Sequence, residues 1–238
     1  MKTILILTLA ILLCGTVAIA QETKPTQQKP AEPAHKMLEF QMALMKRGPK
    51  WPAKHTPEQQ QKHHEYVHSM LQSGKMMIAG GVKDDDKLIA VYIFRTKSAD
   101  EARAWLADDP SVVAEHLVPE LHPWWSEDVM NKNVTLPVKL TTAYLAFLVR
   151  GDKWTPEKTP ATEAIQKAHL ENIQRLADMK KLVVAGPFGD KGTLRGIFVF
   201  KVASIEEARE LAATDPAVQA GRLALQIHPW LVPEGILP

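Results

Sequence analysis

The chain has 238 residues, 45% hydrophobic, 24% charged and 6% aromatic, with 29 Lys+Arg against 27 Asp+Glu and a formal net charge of +2. This composition is that of a globular protein and excludes disordered and fibrous classes. No basic run or tail stands out, so no nucleic-acid partner is expected.

The N-terminus reads as a leader. Lys2 precedes an apolar run over residues 4–13, followed by Ala18-Ile19-Ala20, a small-x-small cleavage site. Cleavage after Ala20 predicts a secreted or periplasmic protein beginning at Gln21. The one cysteine, Cys14, lies inside this leader. Removal leaves neither a disulfide nor a thiol nucleophile. The rival reading is a lipoprotein modified at Cys14, but the bulky Leu13 before it opposes that. The run is too short for a retained span, and no second one follows, so no membrane span is expected after processing. Residues 21–36 are polar and Pro-rich, a flexible segment.

From Met37 onward the sequence is written twice. Arg47-Gly48-Pro49-Lys50-Trp51 matches Arg150-Gly151-Asp152-Lys153-Trp154, and Thr56-Pro57 matches Thr159-Pro160. Three residues are then inserted, and the alignment continues ungapped from His63/His169 to Trp124/Trp230. The two domains are expected at 37–125 and 139–233, joined by a linker at 126–138 that carries the Asn133-Val134-Thr135 sequon.

Each copy predicts the same elements. A first strand is expected over residues 38–45 and 142–149. Thr-Pro opens a helix with its hydroxyl as cap and Pro at the first helical position. Strands follow at 76–79 and 88–94, and at 182–185 and 194–200. Ser98-x-x-Glu101 and Ser204-x-x-Glu207 are capping boxes for a second helix that stops before Asp109-Pro110 and Asp215-Pro216. A last strand runs toward His122-Pro123-Trp124 and His228-Pro229-Trp230, where Pro is expected to stop pairing. The order βαββαβ is the split βαβ unit. Residues 88–94 are apolar on both faces, so the sheet of one copy needs cover from the other. The expected fold is α+β: two tandem ferredoxin-like units packed sheet to sheet.

Candidate site residues follow from this layout. His63 and His169 fall on the apolar stripe of their helices, with Val67 and Met70, and with Ile165, Ile173 and Leu176. Each is either a satisfied core histidine or a pocket acid–base. Asp109 and Asp215 are either N-caps of a following turn or partners that orient the histidines. Arg47 and Trp51, with Arg150 and Trp154, fall in the loop after the first strand. They either bind an anionic or aromatic molecule or close the barrel end. His122 and His228 are secondary candidates on structural strand ends. His64-Glu65-Tyr66-Val67-His68 fits the H-E-x-x-H zinc signature. The second copy reads Leu170-Glu171-Asn172-Ile173-Gln174 there and no third ligand is marked. Zinc is therefore a remote alternative, and the expected metal and cofactor content is none.

These motifs together resemble the YCII-related family. The second copy carries them best: Arg150-Gly151, Trp154, His169, Ala185-Gly186-Pro187, Asp215-Pro216, Gly221-Arg222-Leu223 and His228-Pro229-Trp230. In the first, Gly81 replaces the Pro and Glu115-His116 the Gly-Arg. The resemblance implies a dimeric α/β barrel, here formed within one chain, and a His–Asp pair in a pocket. The wider superfamily includes muconolactone isomerases, small monooxygenases, dehalogenating enzymes and haem proteins, so no substrate is implied. The resulting expectation is a small-molecule enzyme, monomer or homodimer, using His169–Asp215 and His63–Asp109 for proton transfer, isomerisation or elimination. The alternative is a non-catalytic small-ligand-binding module.

Overall fold

A computed structural model describes residues 36–52, 54–130 and 138–238. The leader, nearly all of the Pro-rich segment and the sequon lie outside the described residues.

The first half contains β1 (Leu38–Arg47), α1 (Pro57–Gln72), β2 (Met76–Val82), β3 (Leu88–Phe94), α2 (Ala99–Leu106), α3 (Pro110–Val113) and β4 (Leu117–Ser126). The second half repeats them as β5 (Leu140–Arg150), α4 (Pro160–Asp178), β6 (Leu182–Pro187), β7 (Leu194–Phe200), α5 (Ile205–Ala213), α6 (Pro216–Gln219) and β8 (Leu223–Pro233). Thr56 and Thr159 cap α1 and α4 through complete capping boxes. The three inserted residues lie inside the helix, since α4 has 19 residues and α1 has 16.

The strands form one antiparallel sheet in the order β4-β1-β3-β2-β8-β5-β7-β6. Each half supplies four consecutive strands, joined where Gly81 and Val82 pair with Leu231 and Trp230. At the other seam the pairing shrinks to a single bridge, Trp124 to Phe188. The sequence accounts for this asymmetry. Pro187 stands where the first half has Gly81, and it has no N–H to give a ladder. The curled sheet encloses one shared core that includes Phe40, Met42, Trp124, Phe147, Phe188 and Trp230. Two further cores lie between each half's helices and its sheet, around Phe94 and Leu106 and around Phe200 and Leu176. Among the described residues no helix is long and apolar enough to cross a membrane.

Two strand expectations are corrected. Arg47 and Arg150 are the last residues of their strands rather than loop residues. Pro123 and Pro229 do not stop pairing, because β4 and β8 run on to Ser126 and Pro233. In an antiparallel strand a residue's N–H and C=O point to the same side. The Pro123 carbonyl accepts from Gly189 N (2.7 Å) and that of Pro229 from Lys83 N (3.2 Å), both across the seams. The missing N–H groups therefore face the seams, and pairing with β1 and β5 is untouched.

The strand-end histidines also face the seams. His122 Nδ1 lies 2.6 Å from Asp190 Oδ2, and His228 Nδ1 lies 2.9 Å from Asp84 Oδ1, so each half's histidine holds an aspartate of the other. His122 Nε2 also meets Glu120 Oε1 at 2.9 Å. Burial alone would raise the Asp190 carboxyl. Hydrogen bonds from His122 and the Gly192 N–H, together with the charges of His122 and Arg195, outweigh it and hold the group below the usual Asp range. A depressed carboxylate contributes stability that is complete above its unfolded pKa, about 3.9. That stability is lost as pH falls through the lower folded value. The gap in Tm between wild type and Asp190→Asn at pH 7 is therefore expected to close below about pH 4. A gap that stays constant in acid melts would contradict this.

The seam tryptophans offer a second comparison. Both are fully buried. Trp124 Nε1 donates to the Gly186 carbonyl at 3.1 Å, whereas Trp230 Nε1 is buried with no acceptor. Trp→Phe removes similar volume at both sites. Trp124→Phe also removes a hydrogen bond to the Gly186 carbonyl, while Trp230→Phe deletes an unsatisfied donor. We expect Trp124→Phe to cost about 1 kcal/mol more than Trp230→Phe in denaturant titrations.

Candidate functional site

The site lies on the helix-covered face of the sheet. In the second half His169 is buried on α4, with Asn172 and Leu176 on the same stripe. Its Nδ1 donates to Asp215 Oδ2 at 2.7 Å, and Asp215 is fully buried. Asp215 is at the same time the N-cap of α6, since its Oδ1 accepts from Ala217 N at 2.9 Å. One carboxylate thus performs both roles weighed for it. Asn172 Nδ2 adds a 3.3 Å bond to Oδ2, and the Asn172 carbonyl oxygen accepts from Arg175 Nη2 (2.7 Å) and Thr214 Oγ1 (3.2 Å). A carboxylate only accepts, so Nδ1 carries a proton, and in the neutral ring Nε2 is the nitrogen with the lone pair. The ring stacks on Phe198, with centroids 5.9 Å apart.

Nε2 of His169 has no hydrogen-bond partner among the described residues, and His169 lines a cavity of about 760 Å³. Phe198, Leu148, Ile173 and Leu223 give this cavity apolar walls, with Arg195 and Arg222 as polar points. The first turns of α4, where the three extra residues lie, contribute Thr162, Glu163, Ile165 and Gln166 to its wall.

The first half builds the same pair and then ties it up. His63 Nδ1 donates to Asp109 Oδ1 at 2.9 Å, and that oxygen also caps α3 through Ser111 N. Nε2 receives the Tyr92 hydroxyl at 3.2 Å. Tyr92 occupies the position of Phe198. Its burial, and next the charge of Asp109, push its hydroxyl pKa well above the usual value, which keeps it a proton-bearing donor. Tyr66 stands at the position of Asn172 and bonds the Trp105 carbonyl instead, and Asp109 Oδ2 is buried without a partner. His55 packs edge-on against Trp51 (4.7 Å) and lies 5.3 Å from His116. Burial first, then the neighbouring His116 and His63, lower the His55 pKa and favour its neutral form.

The other candidates separate. Trp154 lines the cavity, but Arg150 does not; it lies 4.0 Å over the Trp154 ring and donates to the Lys191 carbonyl. Arg47 lies over Trp51 at 5.4 Å. His122 and His228 contact Phe188 and Phe147 of the shared core, on the opposite sheet face from the cavity. His64 and Glu65 are exposed and His68 Nε2 is buried without a partner. No group of three or more His, Cys, Asp or Glu among the described residues is arranged to hold a metal. Sequence reasoning missed Asn172, Arg175, Arg195 and the Tyr92/Phe198 exchange. Only the last left a readable signal, a tyrosine facing a phenylalanine at equivalent positions of the repeat.

The comparisons agree with this architecture. The YCII-related domain matches twice, over residues 37–124 and 146–231. The chain belongs to the YCII-related family. YjpA of Bacillus subtilis (strain 168) is 33% identical over 87 residues, covering 37% of this chain and 92% of that protein, which is hardly longer than one repeat. Among solved structures, a chlorite dismutase variant from Candidatus Nitrospira defluvii superposes with a TM-score of 0.53 at 11% identity, covering 81% of this chain and 90% of that one. The imidazole complex of chlorite dismutase from the same organism gives 0.52 at 11% identity, over 83% and 91%. At this identity the likeness concerns the fold, a ferredoxin-like α/β barrel.

Proposed function

We propose that this chain is an exported small-molecule enzyme whose second half uses His169 as the acid–base, oriented by Asp215. The reaction class is proton transfer, isomerisation or elimination on a small polar or aromatic substrate. The observation that carries this reading is the pairing of a buried Asp215–His169 bond with an Nε2 that has no partner among the described residues, on a side chain lining a cavity of substrate size. In the proposed step Nε2 takes a proton from a substrate carbon, and Asp215 stabilises the imidazolium. The electron pair left on that carbon then shifts along the substrate. Either the imidazolium returns the proton to a second atom, or it protonates a departing group. His63–Asp109 is the same pair in the first half, held in reserve by Tyr92, so the second half is the working one.

A screen of small phenols, lactones and unsaturated carboxylates, read by NMR for solvent deuterium uptake or elimination, tests this. Wild-type turnover that disappears in His169→Asn is the expected result. Turnover unchanged in that variant removes His169 from the chemistry. Export is read from the intact mass of the processed protein, expected to begin at Gln21.

A further inference from the structure

The cavity of the second half carries guanidinium groups that form no ion pair among the described residues. Arg195 and Arg222 are half-buried in its wall. Arg222 donates to Thr155 Oγ1 (3.1 Å) and to the Thr155 carbonyl (2.8 Å), which are both neutral. Arg195 has one weak bond, to the Asp190 carbonyl at 3.4 Å, and lies 5.8 Å over the Trp154 ring; the Asp190 carboxylate feels its charge but is bonded to His122. Lys158, an exposed residue of the lining, has no ion pair among the described residues either. The acids on the same lining, Glu157 and Glu163, are exposed and pair with none of these cations. A guanidinium withdrawn from water without a counter-ion is costly, and a ligand anion would supply the missing partner.

The repeat provides an internal control. The positions of Arg195, Arg222 and Lys158 hold Ile89, His116 and His55 in the first half. Its histidine is also the one whose Nε2 is occupied, by Tyr92. The permanent cations and the unoccupied imidazole therefore occur together, in one half and not in the other.

We infer that the second-half cavity takes a small organic carboxylate, its anion held by Arg195 and Arg222 and its planar apolar body against Trp154 and Phe198. Guanidinium groups match a carboxylate in a two-bond fork, and the lining leaves the rest of the ligand in apolar surroundings. The inference rests on reading this cavity as the functional one, and it adds the substrate's charge class.

The test is calorimetric titration of the whole chain with benzoate and with its neutral analogue benzamide. Wild type is expected to bind benzoate about tenfold or more tightly than benzamide. Arg195→Gln and the Arg195→Gln/Arg222→Gln pair should lose that preference while keeping their affinity for benzamide. The single variant matters because Arg222 also anchors the loop at Thr155, whereas Arg195 anchors little. Equal binding of the two probes by wild type, or unchanged benzoate binding in the variants, overturns the assignment. His169→Asn separates the two readings. If it keeps benzoate and loses turnover, both stand. A charge preference that survives beside normal turnover in His169→Asn sinks only the acid–base role. Lost preference beside His169-dependent turnover of a neutral substrate sinks only the carboxylate.

Discussion

Replacing His169 by Asn is expected to lower turnover by about 10²–10⁴-fold, the range that a positioned acid–base contributes, with little loss of ligand affinity. Asparagine can keep an N–H donor beside Asp215 in a smaller side chain, so the cavity survives while the lone pair of Nε2 is lost. The matching change in the first half, His63→Asn, should leave turnover within about twofold, since Nε2 there already holds the Tyr92 hydroxyl at 3.2 Å. The asymmetry between the two variants is the informative quantity. Equal losses would mean that both halves turn over. Unchanged affinity with no turnover in wild type against any of the screened substrates would favour a binding module. Asp215→Asn extends the argument. Asparagine caps a helix as well as aspartate does, so the bond to Ala217 N is retained. What is lost is the charge that stabilises the imidazolium. The fold should hold while turnover falls.

Much of this arrangement is legible in the sequence because it is local or repeated. Thr-Pro and Ser-x-x-Glu mark helix starts by chemistry confined to four residues. The repeat itself exposes the equivalence of His63 with His169 and of Asp109 with Asp215. What stayed hidden depends on residues far apart in the chain. Arg222 reaches Thr155 across 67 positions and His122 reaches Asp190 across 68. No spacing rule relates such pairs; the barrel's closure does. Pairing at Pro123 is hidden from the sequence for a similar reason. A proline ends pairing only on the side its nitrogen faces, and that side is set by strand register. The function of Arg150 was obscured by position. At the strand's last residue it packs over Trp154, while the cavity's guanidinium groups come from β7 and from Arg222, just before β8.

Large stability effects are expected at two glycines on the seams, Gly80 and Gly186. A Cβ on Gly186 would stand 1.9 Å from the Trp125 carbonyl oxygen, a backbone atom that moves only if β4 moves. The same carbon would lie 3.0 Å from Trp124 Nε1, the donor to the Gly186 carbonyl. A Cβ on Gly80 would stand 2.1 Å from Trp230 Nε1, in a ring that is fully buried. Gly81, the next residue, has nothing within 4 Å of its Cβ position and no positive φ. Overpacking costs about 1–3 kcal/mol and sometimes more. For a chain of this size each kcal/mol moves Tm by about 2–4 °C. Gly80→Ala and Gly186→Ala should therefore each lower Tm by about 5–10 °C, with Gly186→Ala the worse. Gly81→Ala should stay within about 0.5 kcal/mol, because it fills open space and stiffens the unfolded chain. Thermal melts of the three variants decide this. Function gives a second axis. Gly186 and Pro187 line the cavity beside His169, whereas Gly80 lies at the seam of the other half. Gly186→Ala should impair turnover even below its melting range, and Gly80→Ala should not. If both variants lose activity in proportion to stability alone, the β4–β6 seam plays no part in shaping the site.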